Sequence, residues 1–433
     1  MKGQDLYRRA KRLIPGGTQL LSKRPEMFLP ELWPAYYSEA RGVEVVDLDG
    51  NVYLDMSIMG VGACVLGYAD PEVDDAVRAA IGRGAMCTLN APEEVELAEV
   101  LCDLHPWAEM VRYARSGGEA MSMAVRIARA HTGRDKVAFC GYHGWTDWYL
   151  AANLGDEDAL DGQLMSGLAP AGVPRALRGT ALPFHYNRID QLKAIVDANR
   201  DSLAAIVMEP QRGQAPAPGF LEEVRDIAGE IGAVLVFDEI TTGFRMTAGG
   251  IHLLLGVRPD IAVFAKAMAN GYAMAAVIGT GQVMQAAQST FISSTNWTER
   301  IGPAAALATI RKYRRENVAG HLIRIGTLVM EGWREAAKEC GLALHADGLP
   351  SLNHFSLDHE DALFLYTLFI QIMLEKGYLA FHQFKPSFAH QERHVAAYLK
   401  DVGDAFATLS EAVRQGDARC VFAARRPGPG STG

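Results

Sequence analysis

The middle of the chain alternates short apolar runs with amphipathic helical stretches. Between about residue 90 and residue 300, the apolar runs are Met110–Ala114, Val137–Cys140, Ala204–Met208, Ala233–Phe237, Ile261–Phe264 and Ala275–Gly279. Each run has the length of a strand, and the stretches between them can form helices. Because strands that alternate with helices form a parallel sheet buried on both faces, this pattern predicts an α/β fold with a mostly parallel central sheet in a large domain.

Both ends of the chain follow a different pattern. We predict a helix at Asp5–Leu13, a break at Gly16–Gly17, and extended pieces at Val43–Val46 and Tyr53–Asp55 around a turn at Asp49–Gly50. Later helices are predicted at Pro303–Arg314, Leu322–Cys340, Glu360–Lys376 and Arg393–Val413, with a β-rich patch among them. The expected organisation is a large domain over residues 61–305, a smaller α+β domain from residues 1–60 and 306–425, and a flexible tail at 426–433.

The composition narrows the class of protein. Of 433 residues, 49% are apolar and 21% are charged, which indicates a globular chain with a large core. A net charge of -9 argues against a nucleic-acid or anionic-membrane partner. The six cysteines are scattered without a C-x-x-C pair, and the N-terminal segment has no apolar core of signal-peptide length. The most apolar window, Leu363–Leu374, is too short for a membrane span. We expect a cytoplasmic enzyme without a metal.

Polar residues follow four of the predicted strands. Ser116, Gly117 and Gly118 follow the first strand, and the sequence Tyr-His-Gly-Trp that begins at Tyr142 follows the second. Asp238 and Lys266 lie at the ends of two later strands. Because ligands of open parallel sheets bind outside the carboxyl ends of the strands, these residues predict one shared site.

The residues at these strand ends are compatible with several kinds of ligand. Gly117 and Gly118 precede a predicted helix, so their backbone could hold a phosphate, although a plain strand-to-helix turn has the same sequence. The run Val234–Glu239 could be the magnesium-holding strand of an ATPase, but the chain has neither a P-loop nor a G-x-G-x-x-G motif. His390 and His394 lack the glutamate placement of a zinc protease, which favours a solvated helix face.

Pyridoxal phosphate needs the groups that this edge offers. A lysine forms its Schiff base, a carboxylate keeps its pyridine nitrogen protonated, and an aromatic ring covers its face. Lys266 lies in the almost uncharged run Phe264–Gly271, which predicts a buried amine with a lowered pKa. The alternative is a lysine that snorkels to solvent at a helix start.

The motifs together resemble a known family. IPGG, DLDGNVYLDM, RSGGEAMSMAVRIARAHTGRDKV, YHGW, MEP, VFDEITTGFR, the Lys266 segment and GYLAFHQFKPSFAH occur in the order of class III (subgroup II) pyridoxal-phosphate aminotransferases. Within that family, the motifs resemble those of the glutamate-1-semialdehyde 2,1-aminomutase branch. The resemblance spans about residues 5–412. It implies a fold type I homodimer whose active sites are shared between subunits.

The resemblance also implies roles for individual residues. Lys266 would be the Schiff-base lysine, Asp238 the partner of the pyridine nitrogen, and Tyr142 the ring that stacks on the cofactor. Thr295 would bind the phosphate in the neighbouring subunit. The remaining cofactor-binding residues implied are Ser116, Gly117, Gly118, His143, Glu209 and Ile240.

Departures from the family concentrate where a substrate would bind. Gly118 replaces a common threonine, and Thr298, Glu299 and Arg300 replace the usual Gly-Asn-Pro. Thr241 and Gln214 stand where many relatives have Gln and Glu, and Lys385 stands where the aminomutase branch has Glu. Lys385 is either a substrate residue or a solvated surface lysine. The substrate candidates are Arg24, Trp145, Gln214 and Lys385, with Arg245 as a further partner for an anion.

The predicted activity is transfer of an amino group from a donor amine or amino acid to an aldehyde or ketone acceptor. An anionic acceptor would suit Lys385, and a sugar-like one would suit the aromatic residues near Tyr142. Two alternatives stay open: an intramolecular aminomutase, and a non-catalytic nucleotide-binding α/β protein.

Overall fold

The computed structural model describes residues 1–156, 158–161, 163 and 167–415. The predicted tail at 426–433 lies outside the described residues. The chain divides into two compact units: one contains Met1–Asp70 together with the residues from Gly320 onward, and the other is the contiguous segment Pro71–Ala319. We call the second the contiguous unit and the first the two-segment unit.

A seven-stranded sheet forms the centre of the contiguous unit. From one edge to the other, its strands are Met110–Ala114, Ala275–Gly279, Ile261–Phe264, Val234–Asp238, Leu203–Met208, Lys136–Cys140 and Ala181–Pro183. The five strands from Ile261–Phe264 to Ala181–Pro183 pair in parallel. Ala275–Gly279 is antiparallel to both of its neighbours, so the sheet is mostly parallel, as predicted.

The central strands are apolar because both faces of the sheet are covered. Every residue of Leu203–Met208, Val234–Asp238 and Ile261–Phe264 is buried. Strands buried on both faces are near-continuous apolar runs, which is the pattern read from the sequence. The α-helices of the unit are Pro71–Gly82, Pro92–Leu104, Gly117–Thr132, Asp147–Leu150, Ile189–Asn199, Phe220–Ile231, His252–Leu255, Gly281–Met284 and Ile301–Arg315.

The contiguous unit extends past the predicted range of 61–305. Its last helix, Ile301–Arg315, packs along the first helix, Pro71–Gly82. Ala305, Ala306 and Ile310 are buried on this last helix. The packing of small residues between the two helices keeps the whole of the last helix within this unit.

The two-segment unit contains two small sheets. The strands Tyr37–Arg41, Glu44–Asp47, Val52–Met56 and Tyr378–Ala380 form one, and Leu344–Leu349, Leu352–Leu357 and Gln383–Phe384 form the other. Its α-helices are Lys2–Leu13, Met59–Gly62, Val318–Cys340, Ala362–Glu375 and Glu392–Arg414. The core of the unit is rich in aromatic side chains, among them Trp333, Phe355, Phe369, Tyr398 and Phe406. None of the helices in the described part of the chain is long and apolar enough to cross a bilayer.

The interpretation of His390 as part of a solvated helix face is wrong. The helix begins at Glu392, so His390 precedes it, and the His390 side chain is fully buried. Its ring bonds to the backbone N–H of Ser387 at 3.0 Å and to the carbonyl of Asp55 at 2.9 Å. Burial lowers the pKa of His390 to about 4, so the ring is neutral and supports the loop before the helix.

Candidate active site

The predicted strand ends meet at one edge of the large sheet. Ala275–Gly279 reverses direction against both neighbours, and therefore Met110–Ala114 runs in the same direction as Ile261–Phe264. Ser116, Tyr142, Asp238 and Lys266 all follow or end strands that point the same way. The carboxyl edge of the sheet thus collects these side chains, as the position of a ligand in an open α/β sheet requires.

The loop after the first strand packs tightly against its neighbours at its glycines. A Cβ on Gly117 would lie 2.8 Å from Ile240 Cδ1, and one on Gly118 would lie 3.3 Å from the indole nitrogen of Trp145. Gly144 has a positive φ of 102°, and its Cβ would lie 3.1 Å from the Cα of Gly118. The loops after the strands are therefore packed backbone to backbone.

The helix that follows this loop has a complete N-terminal capping box. The side chains of Ser116 and Glu119 each bond to the backbone of the other residue, so the helix starts at Gly117. The first backbone N–H groups of a helix carry partial positive charge and lack partners within the helix. Gly117 and Gly118 present these groups without side chains, which suits a phosphate.

Asp238 is held by a buried histidine from the next loop. His143 Nδ1 lies 2.8 Å from Asp238 Oδ2, and His143 Nε2 lies 3.0 Å from the carbonyl oxygen of Cys140. A carbonyl only accepts, so Nε2 carries a hydrogen, and one further proton lies between Nδ1 and the carboxyl group. The other oxygen, Oδ1, accepts from the backbone N–H of Ile240 at 3.0 Å. These bonds fix the orientation of Asp238.

Lys266 follows the neighbouring strand in a left-handed backbone conformation, with φ at 45°. Its amine donates to Thr241 Oγ1 at 2.9 Å. Residues Ile261–Asn270 are otherwise all buried, whereas Lys266 itself keeps a partly exposed side chain. Withdrawal from water lowers the pKa of Lys266 from 10.5 to about 8, and the charge of Arg212 lowers it further than any other charged group. About a tenth of the amine is therefore uncharged at pH 7, and about half at pH 8.

An ion pair that the sequence does not predict follows the strand Leu203–Met208 and affects the charge of this lysine. Glu209 is almost fully buried, and its two oxygens accept from Arg212 Nη1 at 3.1 and 3.4 Å. Both residues line a cavity of about 190 Å³ together with Gln163, Tyr186 and Gln214. The sequence gives little indication of Arg212, because a single cation between Gln211 and Gly213 resembles an ordinary loop residue. The available signal is its place in the loop that follows the buried strand Leu203–Met208.

A second hydrogen-bond network that the sequence does not predict holds Glu239, the residue after Asp238. Glu239 is fully buried and accepts from His252 Nδ1 at 2.8 Å and from the Thr242 hydroxyl at 2.6 Å. The other ring nitrogen of His252 accepts from Trp107 at 3.0 Å. Burial alone would raise the pKa of Glu239, but these hydrogen bonds bring it below its ordinary value. The carboxylate stays ionised and secures the end of the strand.

Three other predicted residues lie around the same loops. Tyr142 is partly buried, its ring meets Tyr149 edge to face at 5.8 Å, and burial raises its pKa. Trp145 is 72% exposed beside Gly118. Thr295 is exposed in the turn Thr295–Thr298, which Arg115 secures by donating to the Trp297 carbonyl at 2.9 Å.

Two substrate candidates belong to the two-segment unit. Lys385 is only 8% exposed, and its backbone N–H donates to the Ser57 carbonyl at 2.8 Å, so the solvated surface lysine is ruled out. Arg24 is partly buried with its guanidinium against Gly16. Arg245, in the contiguous unit, is buried, and its charge contributes to the lowered pKa of Lys266. The positions of Arg24 and Lys385 relative to Lys266 stay predictions.

The residues at the sheet edge fit pyridoxal phosphate. A glycine cradle at the start of a helix, closed by Ile240, suits its phosphate. A fixed carboxyl group, Asp238, and an amine of lowered pKa, Lys266, supply the other two contacts that this cofactor requires. No group of three or more His, Cys, Asp or Glu within the described ranges is arranged to hold a metal ion.

Comparison with known proteins agrees with this chemistry. The family model "Aminotransferase class-III" matches residues 30–343. The 3-aminobutyryl-CoA aminotransferase of Cloacimonas acidaminovorans is 35% identical over 83% of this chain and 84% of its own length. A glutamate-1-semialdehyde 2,1-aminomutase of Roseiflexus castenholzii is 32% identical over 96% of this chain and 99% of its own length.

A solved structure gives the same result for the fold. The FumI protein of Sphingopyxis sp. MTA144, in its PLP internal aldimine form, matches with a TM-score of 0.86 and 26% identity over 97% of this chain and 99% of that chain. The chain therefore belongs to the class III aminotransferase family. It is a fold type I enzyme that uses pyridoxal phosphate to transfer amino groups.

Proposed function

We propose that Lys266 holds pyridoxal phosphate covalently through its amine and then moves the proton during amino transfer. When bound, the cofactor supplies an electron sink for the carbon that loses the proton. The observation that carries the proposal is the placement of Lys266 and Asp238 at the ends of neighbouring parallel strands, where loss of water lowers the pKa of Lys266 to about 8. An amine with this pKa can both take up and release a proton near neutral pH.

Asp238 is proposed to hold the proton on the pyridine nitrogen of the cofactor. His143 would act as a positioning residue, because its bond at 2.8 Å fixes the carboxyl group of Asp238. The His143 ring is itself held by the Cys140 carbonyl, and it is 1% exposed. Because the ring is buried and held by two hydrogen bonds, it needs little reorganisation when charge develops nearby.

The remaining contacts of the cofactor follow from the loops. We assign its phosphate to the backbone of Gly117 and Gly118 and to Ser116, and its two faces to Ile240 and Tyr142. Thr295 is proposed to reach the phosphate of a neighbouring subunit, which makes the enzyme a homodimer with shared active sites. The exposure of Thr295 beside the Arg115 contact supports this assignment. Glu209 would complete the polar surroundings through Arg212.

The proposed reaction takes an amino group from an amine or amino acid to an aldehyde or ketone that carries negative charge. An intramolecular aminomutase is the second candidate, supported by the relative of that activity matched over 96% of this chain. The buried Lys385 in place of an acid favours the intermolecular reaction. A cytoplasmic location is proposed from the scattered cysteines, of which Cys87, Cys102, Cys140 and Cys340 are free thiols.

Borohydride reduction of the loaded enzyme, followed by peptide mass spectrometry, tests the central assignment. We expect the label on Lys266, and Lys266→Ala should abolish turnover while still holding the cofactor noncovalently. Lys193→Ala is the control, because Lys193 is exposed in the same unit. A label on another lysine, or more than a few per cent of the activity remaining in Lys266→Ala, would refute the assignment.

A further inference from the structure

The contiguous unit contains a cavity lined by the ion pair of Glu209 and Arg212, and no contact of the proposed cofactor uses the free side of Arg212. We infer that Arg212 and the cavity of about 190 Å³ beside it bind a carboxylate group of the substrate. The inference rests on the proposed function, because the substrate's reacting carbon is taken to lie at Lys266. It adds the chemical class of the substrate to that function.

The bonding of Arg212 leaves one side of its guanidinium available. Both hydrogen bonds to Glu209 come from Nη1, at 3.1 and 3.4 Å. Within the described chain, Nε and Nη2 donate to no protein acceptor. The guanidinium is a planar fork of five donors that matches two carboxylate oxygens, so the remaining side suits a carboxylate.

The cavity presents Arg212 rather than its acidic partner. The side chain of Arg212 is 29% exposed, whereas that of Glu209 is 10% exposed. Both oxygens of Glu209 already accept from the guanidinium. Gln163, Tyr186 and Gln214, which also line the cavity, are uncharged at neutral pH. An incoming amine would therefore meet a cation first, and an incoming carboxylate would meet a partner.

Arg212 is also close enough to the reacting lysine to share one substrate with it. Among all charged groups, Arg212 has the largest effect on the pKa of Lys266, ahead of Glu209, Asp238 and Arg245. The strand before Arg212, Leu203–Met208, pairs in parallel with the strand that ends at Asp238, which in turn pairs with the strand before Lys266, so the three residues end or follow strands that point to one edge of the sheet. A short substrate can thus place its reacting carbon at Lys266 and its carboxylate at Arg212.

Calorimetric titration of the cofactor-loaded enzyme with succinate and with succinamide tests the inference. The two probes have the same length and differ in charge. We expect succinate to bind more tightly to the wild type, and Arg212→Gln to lower the ratio of the two affinities by about 30-fold. Arg212→Lys keeps the charge but loses the planar fork of donors. Its ratio of succinate to succinamide affinity should therefore lie between those of the wild type and Arg212→Gln. Arg200→Gln, which breaks an exposed ion pair with Glu230 in the same unit, should leave the ratio unchanged.

Two results would overturn the inference. One is equal affinity of the wild type for both probes, and the other is an equal loss of both affinities in Arg212→Gln, which would mean that Arg212 only shapes the cavity. Failure of the proposed function has a different signature. A loaded wild-type enzyme that transfers no amino group would refute that function, whereas the charge dependence of succinate binding would still decide the role of Arg212.

Discussion

Replacing Lys266 with methionine should stabilise the cofactor-free protein, and the gain should disappear as the pH rises. The fold lowers the pKa of Lys266 from 10.5 to about 8, mainly through loss of water and secondly through the charge of Arg212. At ~1.4 kcal/mol per pKa unit, this difference corresponds to at most ~3.5 kcal/mol of unfolding free energy. Because the side chain is partly exposed, solvent screening reduces the expected gain to about 1–3 kcal/mol.

The direction of the pH effect follows from the proton balance. Below about pH 8 both the folded and unfolded chains hold the proton, and the folded protein bears the full cost of a desolvated charge. Between about pH 8 and 10.5 the unfolded chain binds more protons, so the unfolding free energy of the wild type rises with pH. Methionine has a similar volume and no charge, and therefore Lys266→Met lacks this dependence.

Urea unfolding of both proteins without cofactor, at one protein concentration and at several pH values, measures the difference. The advantage of Lys266→Met should be largest below pH 8 and shrink steadily above it. Lys193→Met, at an exposed lysine of the same unit, is the control and should show no such trend. An advantage that stays constant with pH, or a variant less stable than the wild type at neutral pH, would contradict the reasoning.

Three further predictions concern the assembled enzyme. Asp238→Asn should still bind the cofactor, as measured by absorbance. Its kcat should fall at least ~100-fold, about 2.7 kcal/mol, because an amide cannot hold the proton on the pyridine nitrogen. A kcat within a few-fold of the wild type would count against this role of Asp238. If Thr295 serves a neighbouring subunit, dilution should release subunits and cofactor in parallel, and a monomer that retains the cofactor would exclude this arrangement. Lys385→Glu should raise KM for an anionic acceptor by about tenfold, ~1.4 kcal/mol, and an unchanged KM would remove Lys385 from the substrate site.

The sequence predicts the strands of the large sheet well, because buried strands are uninterrupted apolar runs. Met110–Ala114, Ile261–Phe264 and Ala275–Gly279 begin and end at the predicted residues. The direction of Ala275–Gly279 could not be predicted in the same way. An apolar run has the same pattern whichever way it points, and direction depends on the path of the connections.

The sequence predicts the positions of some site residues but not the side chains that hold them. Asp238 and Lys266 were accessible because each follows an apolar strand, where a charge is unexpected. His143, which holds Asp238, and Arg212, whose charge lowers the pKa of Lys266, lie in two different loops at the sheet edge. Neither relationship has a local sequence pattern. His390 was misread because a spacing of four suggests a helix face, while the helix starts only at Glu392.

The two-segment unit determines when each part of the enzyme can fold during synthesis. The strand Val52–Met56 is made early, but its parallel neighbour, Tyr378–Ala380, leaves the ribosome only after the whole contiguous unit has been synthesised. Pro71–Ala319 can fold around its own sheet in the meantime, whereas the first 70 residues must wait with apolar side chains such as Phe28, Leu29 and Met56 exposed. Those residues are therefore the segment of the nascent chain that most needs protection by chaperones.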